Sequence, residues 1–249
     1  MNDKEPIKLS KINFNNIVYT SIKENNKKKI IYLKYKDKDK ISNFVFQTPT
    51  LLNINDAIIK NNYSEIDIPI ECKKKNKEKG FIDFLNNLDK KILYDASNNS
   101  SSWFKNIDND NILYQKIIRS SNDNSYENGI INLKIISTNI FKTVLRNEKK
   151  IIKINEIPKN SWVKMILECY AIIISENGFS LFIRPIIIYF KKIKNNNYNY
   201  KFIKDSDDSD NDNDDDNEIE ELESNNIFIK PGEIKNSSSE YSTTSSNED

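Results

Sequence analysis

The stretch WVKMILECYAIII (Trp162–Ile174), the pair Asn177-Gly178 and the stretch FSLFIRPIIIYF (Phe179–Phe190) decide the fold class. In the first stretch Val163, Met165, Leu167, Cys169, Ala171 and Ile173 form one wholly apolar face. The other face carries Trp162, Lys164, Glu168 and Tyr170. A period of two sustained over this length predicts a strand with one side in a core. An Asn-Gly pair between apolar runs is a strong hairpin signal, because both central residues of the turn need positive φ. A long antiparallel hairpin is therefore expected.

Working outward, Ile30–Tyr35 alternates, Asp37–Lys40 is a charged turn and Phe44–Phe46 returns, stopping at Pro49; this reads as a second hairpin. Glu65–Ile70 and Ile130–Ile136 also alternate. In the latter, Ile131, Leu133 and Ile135 face the core while Asn132 and Lys134 face out. Lys150–Ile154 is a short strand and Asn53–Asn61 a short helix. Phe81, Phe84, Leu85, Leu88 and Ile92 recur at helical spacing after Gly80, with Asp83, Asn87, Lys90 and Lys91 outward. Trp103-Phe104 follows this amphipathic helix and is assigned to the core at its end. The sum is a mainly β domain, an OB-fold-like antiparallel β-barrel with one amphipathic helix, over residues 30–204. An N-terminal arm (1–29) with one short strand near Asn16–Ile22 precedes it.

The 249 residues include no His, two Cys and four Gly. The lack of His excludes Ser-His-Asp hydrolysis, Cys-His proteolysis and two-His zinc sites. Two Cys exclude a disulfide scaffold, and Cys72 and Cys169 are expected to be inert. Scattered glycines exclude a Gly-rich phosphate loop. No carboxylate pair is placed for acid–base or two-metal chemistry. A binding protein without enzymatic activity, cofactor or metal is the expectation.

The net charge of +1 hides an asymmetry. Residues 205–249 hold 16 acidic and two basic side chains, or −14, which leaves +15 on residues 1–204. A basic body with an acidic tail points to nucleic acid or a membrane surface. Membranes fit less well: Met1–Lys8 is polar, and Cys169–Ile174 and Phe179–Phe190 fall short of the ~18–20 residues of a spanning helix. A soluble intracellular protein is expected, with no membrane partner. The tail, where Ser206–Asn217 is Asp, Asn and Ser only, is expected to be disordered. It does not match a calcium loop, since Asp215 stands where Gly is needed. Its charge would compete with nucleic acid for the basic body, and Ser206 and Ser209 suit an acid-directed kinase. Ile, Asn and Lys supply nearly half the chain, as in A/T-rich genomes of many large DNA viruses and some protists.

Basic and aromatic residues on outward faces are the candidate nucleic-acid contacts: Tyr32, Lys34, Lys134, Trp162, Lys164, Tyr170, Phe182 and Arg184. Lysines in a groove would track phosphates, and rings would stack on unpaired bases. Each has a structural alternative. The lysines can simply solvate a surface, Phe182 can belong to the core, and Arg184 can pair with Glu168 across the hairpin instead of with phosphate.

The helix pattern Phe81-x-x-Phe84-Leu85-x-x-Leu88-Asp89, then Trp103-Phe104, Tyr114-x-x-Ile117, the strand Ile130–Ile136, the long hairpin and the acidic tail resemble a known layout. It is similar to the single-stranded-DNA-binding proteins of the phage T-seven type found in nucleocytoplasmic large DNA viruses. The resemblance implies an OB-fold that coats unpaired viral DNA in replication and recombination. It also implies location in the host cytoplasm (viral factory) or virion, and replication proteins docking on the tail. The phage tail ends in an aromatic residue, whereas this one runs through Phe228 and Tyr241 to Ser-Ser-Asn-Glu-Asp. The expected partners are thus single-stranded DNA, with single-stranded RNA as an alternative, replication proteins, and a second copy of the chain in a homodimer. A different class is a protein–protein module, such as a virion or transcription-complex subunit or a histone-chaperone-like protein, with no strand preference.

Overall fold

Period-two apolar patterns build about half of the described residues into strands. The computed structural model describes residues 5–25, 28–61, 63–105, 112–121 and 126–193, all within the unit Met1–Lys194. The acidic tail, 205–249, lies outside the described residues. In chain order come β1 (Ile17–Tyr19), β2 (Lys23–Asn25), β3 (Lys28–Asp37), β4 (Lys40–Gln47) and β5 (Leu51–Asn53). Next are β6 (Ile58–Ile59), β7 (Tyr63–Pro69), α1 (Glu78–Asn98) and the single-turn α2 (Ser100–Trp103). They are followed by β8 (Leu113–Gln115), β9 (Ile118–Arg119), β10 (Ile130–Ile136), β11 (Val144–Asn147) and β12 (Lys150–Ile151). The long β13 (Ser161–Ser175) and β14 (Gly178–Lys192) complete the order. Among the described residues no helix is long and apolar enough to cross a membrane.

The fold is mainly β with one long helix, but it is not a closed five-stranded barrel. The strands form a ten-stranded sheet and a separate four-stranded sheet, β6-β7-β10-β9. In the larger sheet β13 is the spine. One edge pairs with β14 along its length, and the other takes β5, β4 and β3 in turn, all antiparallel. The far edge of β14 is occupied by β8 and β11, both parallel to it. These parallel neighbours leave β14 no free edge along those stretches for barrel closure. They escape a sequence reading because strands of three or four residues are too short to show a period.

The helix face anticipated from spacing is the buried face: Phe81, Phe84, Leu85, Leu88 and Ile92 enter the core. There Phe84 packs on Phe46, with ring centroids 5.1 Å apart. Trp103 and Phe104 are also buried, and Trp103 meets Tyr19 edge-on. Two polar residues of α1 are buried as well. Asp95 accepts from the Tyr19 hydroxyl and pairs with Lys91 Nζ at 2.7 Å, which ties the helix to β1.

Three local expectations change. Asn53–Asn61 is not a helix: Asn53 pairs with Ser161 of β13 and donates Nδ2 to the Pro158 carbonyl at 3.1 Å. Its backbone and side chain are thus committed to long-range partners. The hairpin turn is Glu176-Asn177, and Ser175 pairs with Gly178 as the first residue of β14. Only Gly178 of these has positive φ, at +155°. Finally, Cys169 pairs with Ile183 but Ala171 with Phe182, so Tyr170 is a bulge residue without a cross-strand partner in β14. The extra residue reverses the alternation: Ile172 and Ile174 are buried, and Ile173, expected in the core, is half-buried. A second shift lies between Ile166 and Leu167, where Leu167 pairs with Pro185; a residue lacking an N–H is tolerated at such an irregularity.

Candidate nucleic-acid interface

The bulge places Tyr170 at the centre of a row of half-buried rings. Tyr32 lies 5.1 Å away and Phe182 6.2 Å away between centroids, at interplanar angles of 75° and 83°. The Arg184 guanidinium carbon is 3.6 Å from the Tyr170 ring centroid and 4.0 Å from that of Phe141. Its Nε donates to Glu168 Oε2 at 2.7 Å, directly across the hairpin. Of the two roles foreseen for Arg184, the carboxylate pair is the one formed. Lys23 Nζ extends the row, 5.3 Å from the Tyr32 ring. Burial, followed by the neighbouring Tyr32, pushes the Tyr170 phenol up from its ordinary value of 10.0, while the Arg184 guanidinium pulls the other way.

Trp162 and Lys164 lie on the same face of β13 as Glu168, by alternation. Eight residues separate Trp162 from Tyr170, about 26 Å of strand. In register across the sheet, Lys164 faces Tyr189, which faces Arg146, and Trp162 faces Lys191. Lys73 Nζ sits 5.6 Å from the Trp162 ring. Lys34 is one alternation from Tyr32 on β3 and donates Nζ to Asn43 Oδ1 at 2.7 Å.

A cleft of about 530 Å³ opens between the tip of the β13–β14 hairpin, β8, and β9 and β10 of the smaller sheet. Lys28, Lys116, Arg119 and Lys134 line it, no carboxylate among the described residues does, and Phe182 forms part of its wall. Glu176 stands beside it at the hairpin tip. Two glycines let the walls close in. A Cβ at Gly178 would stand 2.3 Å from the Leu113 carbonyl oxygen, and one at Gly129 (φ +76°) 2.5 Å from that of Arg119.

The β8 wall is held by α1. Tyr114 donates its hydroxyl to Asp89 Oδ1 at 2.6 Å, and the Ile117 N–H donates to the same carboxylate. Burial raises the Asp89 carboxyl above its ordinary value of 3.8, although these hydrogen bonds pull the other way. The folded state therefore binds this proton more readily than the unfolded chain, and the stability linked to it falls as pH rises through that window. Against Asp89→Asn, which carries no titrating proton, the native chain is expected to lose relative melting temperature as pH rises above the ordinary carboxyl value of 3.8. A gap independent of pH in thermal melts would contradict this.

Four of the eight sequence-derived candidates, Tyr32, Tyr170, Phe182 and Arg184, thus form one continuous cluster. Trp162 and Lys164 lie farther along the same sheet face. Lys134 belongs to the other sheet, 4.8 Å from the Tyr63 ring centroid and 4.0 Å from Glu65, and reaches the assembly through the cleft it shares with Phe182. Sequence reasoning missed Phe141, Lys28, Lys116, Arg119 and Arg146. One signal was available: only three of the 38 basic residues are arginines, and all three lie on this sheet face or in this cleft. Arg is favoured where planar stacking and phosphate recognition matter. Phe141, in a loop, leaves no periodic trace. No protein-family model matches the chain, and no curated protein matches it.

Proposed function

We propose that this protein binds single-stranded DNA with little sequence preference and coats it during replication or recombination. The observation that carries the proposal is the continuity of the ring row Tyr32–Tyr170–Phe182 with a cleft lined, among the described residues, by four cations and no carboxylate. Every base has a π-face, so rings accept any sequence, and a duplex hides those faces in its own stack. The cations displace condensed counterions, so affinity falls steeply with salt. Trp162, Lys164 and Lys34 offer further contacts on the sheet. The −14 segment at residues 205–249 is tethered to the body at an effective concentration of order millimolar, and it weakens binding by competing for the same cations.

The test is a fluorescence titration of the full chain with a ~30-nucleotide strand and the matching duplex at several salt concentrations. A version ending at Lys204 and an RNA strand of the same sequence run alongside. Expected are a preference for the single strand of about tenfold or more, a steep negative salt slope and tighter binding without the tail. Equal, weak binding to strand and duplex, indifferent to the tail, would refute the proposal and favour a protein–protein module. Stronger binding to RNA would move the assignment to that ligand.

A further inference from the structure

We infer that the cleft between the β13–β14 tip, β8, β9 and β10 is a separate phosphate subsite, taking the sugar–phosphate backbone of the strand whose bases stack on Phe182, Tyr170 and Tyr32. This rests on the function proposed above and assigns its two forces to different places. Lys28, the pair Lys116 and Arg119, and Lys134 come from three chain segments that converge only through tertiary pairing. Among the described residues the only ion pair made by these four is the 4.0 Å contact of Lys134 with Glu65. Four like charges around one cleft repel each other, and a polyanion relieves that repulsion. The volume of about 530 Å³ falls within the range of small-ligand sites, enough for a short run of backbone. An acidic peptide would satisfy the charges equally, but it offers a ring only where an aromatic residue stands, whereas every nucleotide brings a flat base for the aromatic row that begins at Phe182 in the cleft wall. That continuity favours the nucleic-acid strand.

The consequence is a division of labour: the cleft sets the salt dependence and the ring row does not. The experiment titrates the full chain with a ~30-nucleotide oligo(dT) from low to high salt, beside Lys116→Gln/Arg119→Gln and a control, Lys8→Gln/Lys11→Gln, which removes equal charge from an exposed segment. Each phosphate contact on a single strand contributes about 0.7 to the slope. The cleft variant is expected to lose about 1.4 from the slope and roughly twentyfold in affinity near 0.1 M salt, while the control keeps the native slope. Loss of slope in the cleft variant no greater than in the control would overturn the cleft assignment, leaving single-strand binding intact. Failure of the unaltered chain to prefer oligo(dT) over duplex would instead overturn the function itself. A glutamate oligomer that binds alongside oligo(dT), and is lost in the cleft variant, would assign the cleft to a peptide and overturn the inference.

Discussion

Glu168→Ala is expected to be the most destabilising single substitution on the candidate interface. The Glu168 side chain is 3 % exposed and Arg184 16 %. Removing the carboxylate strands a guanidinium that cannot lose its proton among Tyr170 and Phe141. Breaking a buried pair from one side costs about 3–5 kcal/mol, or roughly 10 °C in melting temperature for a domain of this size. Replacing both partners, Glu168→Leu with Arg184→Met, should recover most of that loss, because neither charge is then left unpaired. Thermal melts of the single and double variants decide the matter. A single variant melting within about 2 °C of the native chain would show that the pair is effectively solvated. The pair's role is to position: it fixes Arg184, and Arg184 fixes the Tyr170 ring.

Tyr170→Ala combined with Phe182→Ala is expected to give the largest loss of strand binding. Truncating a stacking ring costs about 1–3 kcal/mol per base, so the two together should raise Kd by at least about thirtyfold. Because neither residue carries charge, the salt slope should stay at its native value. That outcome is the converse of the one expected from the cleft lysine and arginine. A change in Kd below about threefold, in a variant still folded by its melting curve, would remove the ring row from the binding site.

Much of this architecture is legible before any pairing is known. The helix face from Phe81 to Ile92 and the outward position of Asn132 and Lys134 follow from spacing, and the burial of Trp103 and Phe104 from their place at the end of that helix. The two buried carboxylates of α1 do not. Asp89 and Asp95 look like ordinary polar residues of a helix, and distant partners, Tyr114 and the Ile117 N–H for the first and Tyr19 beside the local Lys91 for the second, make their burial tolerable. Ile173 is a failure of a different kind. The alternation is correct on either side of Tyr170, but an inserted residue shifts the phase, and a phase shift is invisible until the partner strand is in place. Gly178 was recognised as a turn residue, yet its tighter constraint is the Leu113 carbonyl of a strand some 65 positions earlier in the chain.

Sequence by itself determined the long strands, the one long helix and the face it buries, and how charge divides between body and tail. These properties depend on neighbours within a few residues, so a period or a local composition records them. Tertiary structure alone decided that β8 and β11 run parallel along β14, that the sheets do not close into one barrel, and that Tyr32, Tyr170, Phe182 and Arg184 meet. It also brought Lys28, Lys116, Arg119 and Lys134 to one cleft. Those outcomes turn on register, bulges and close backbone approach between distant segments, and no local pattern in the chain encodes them.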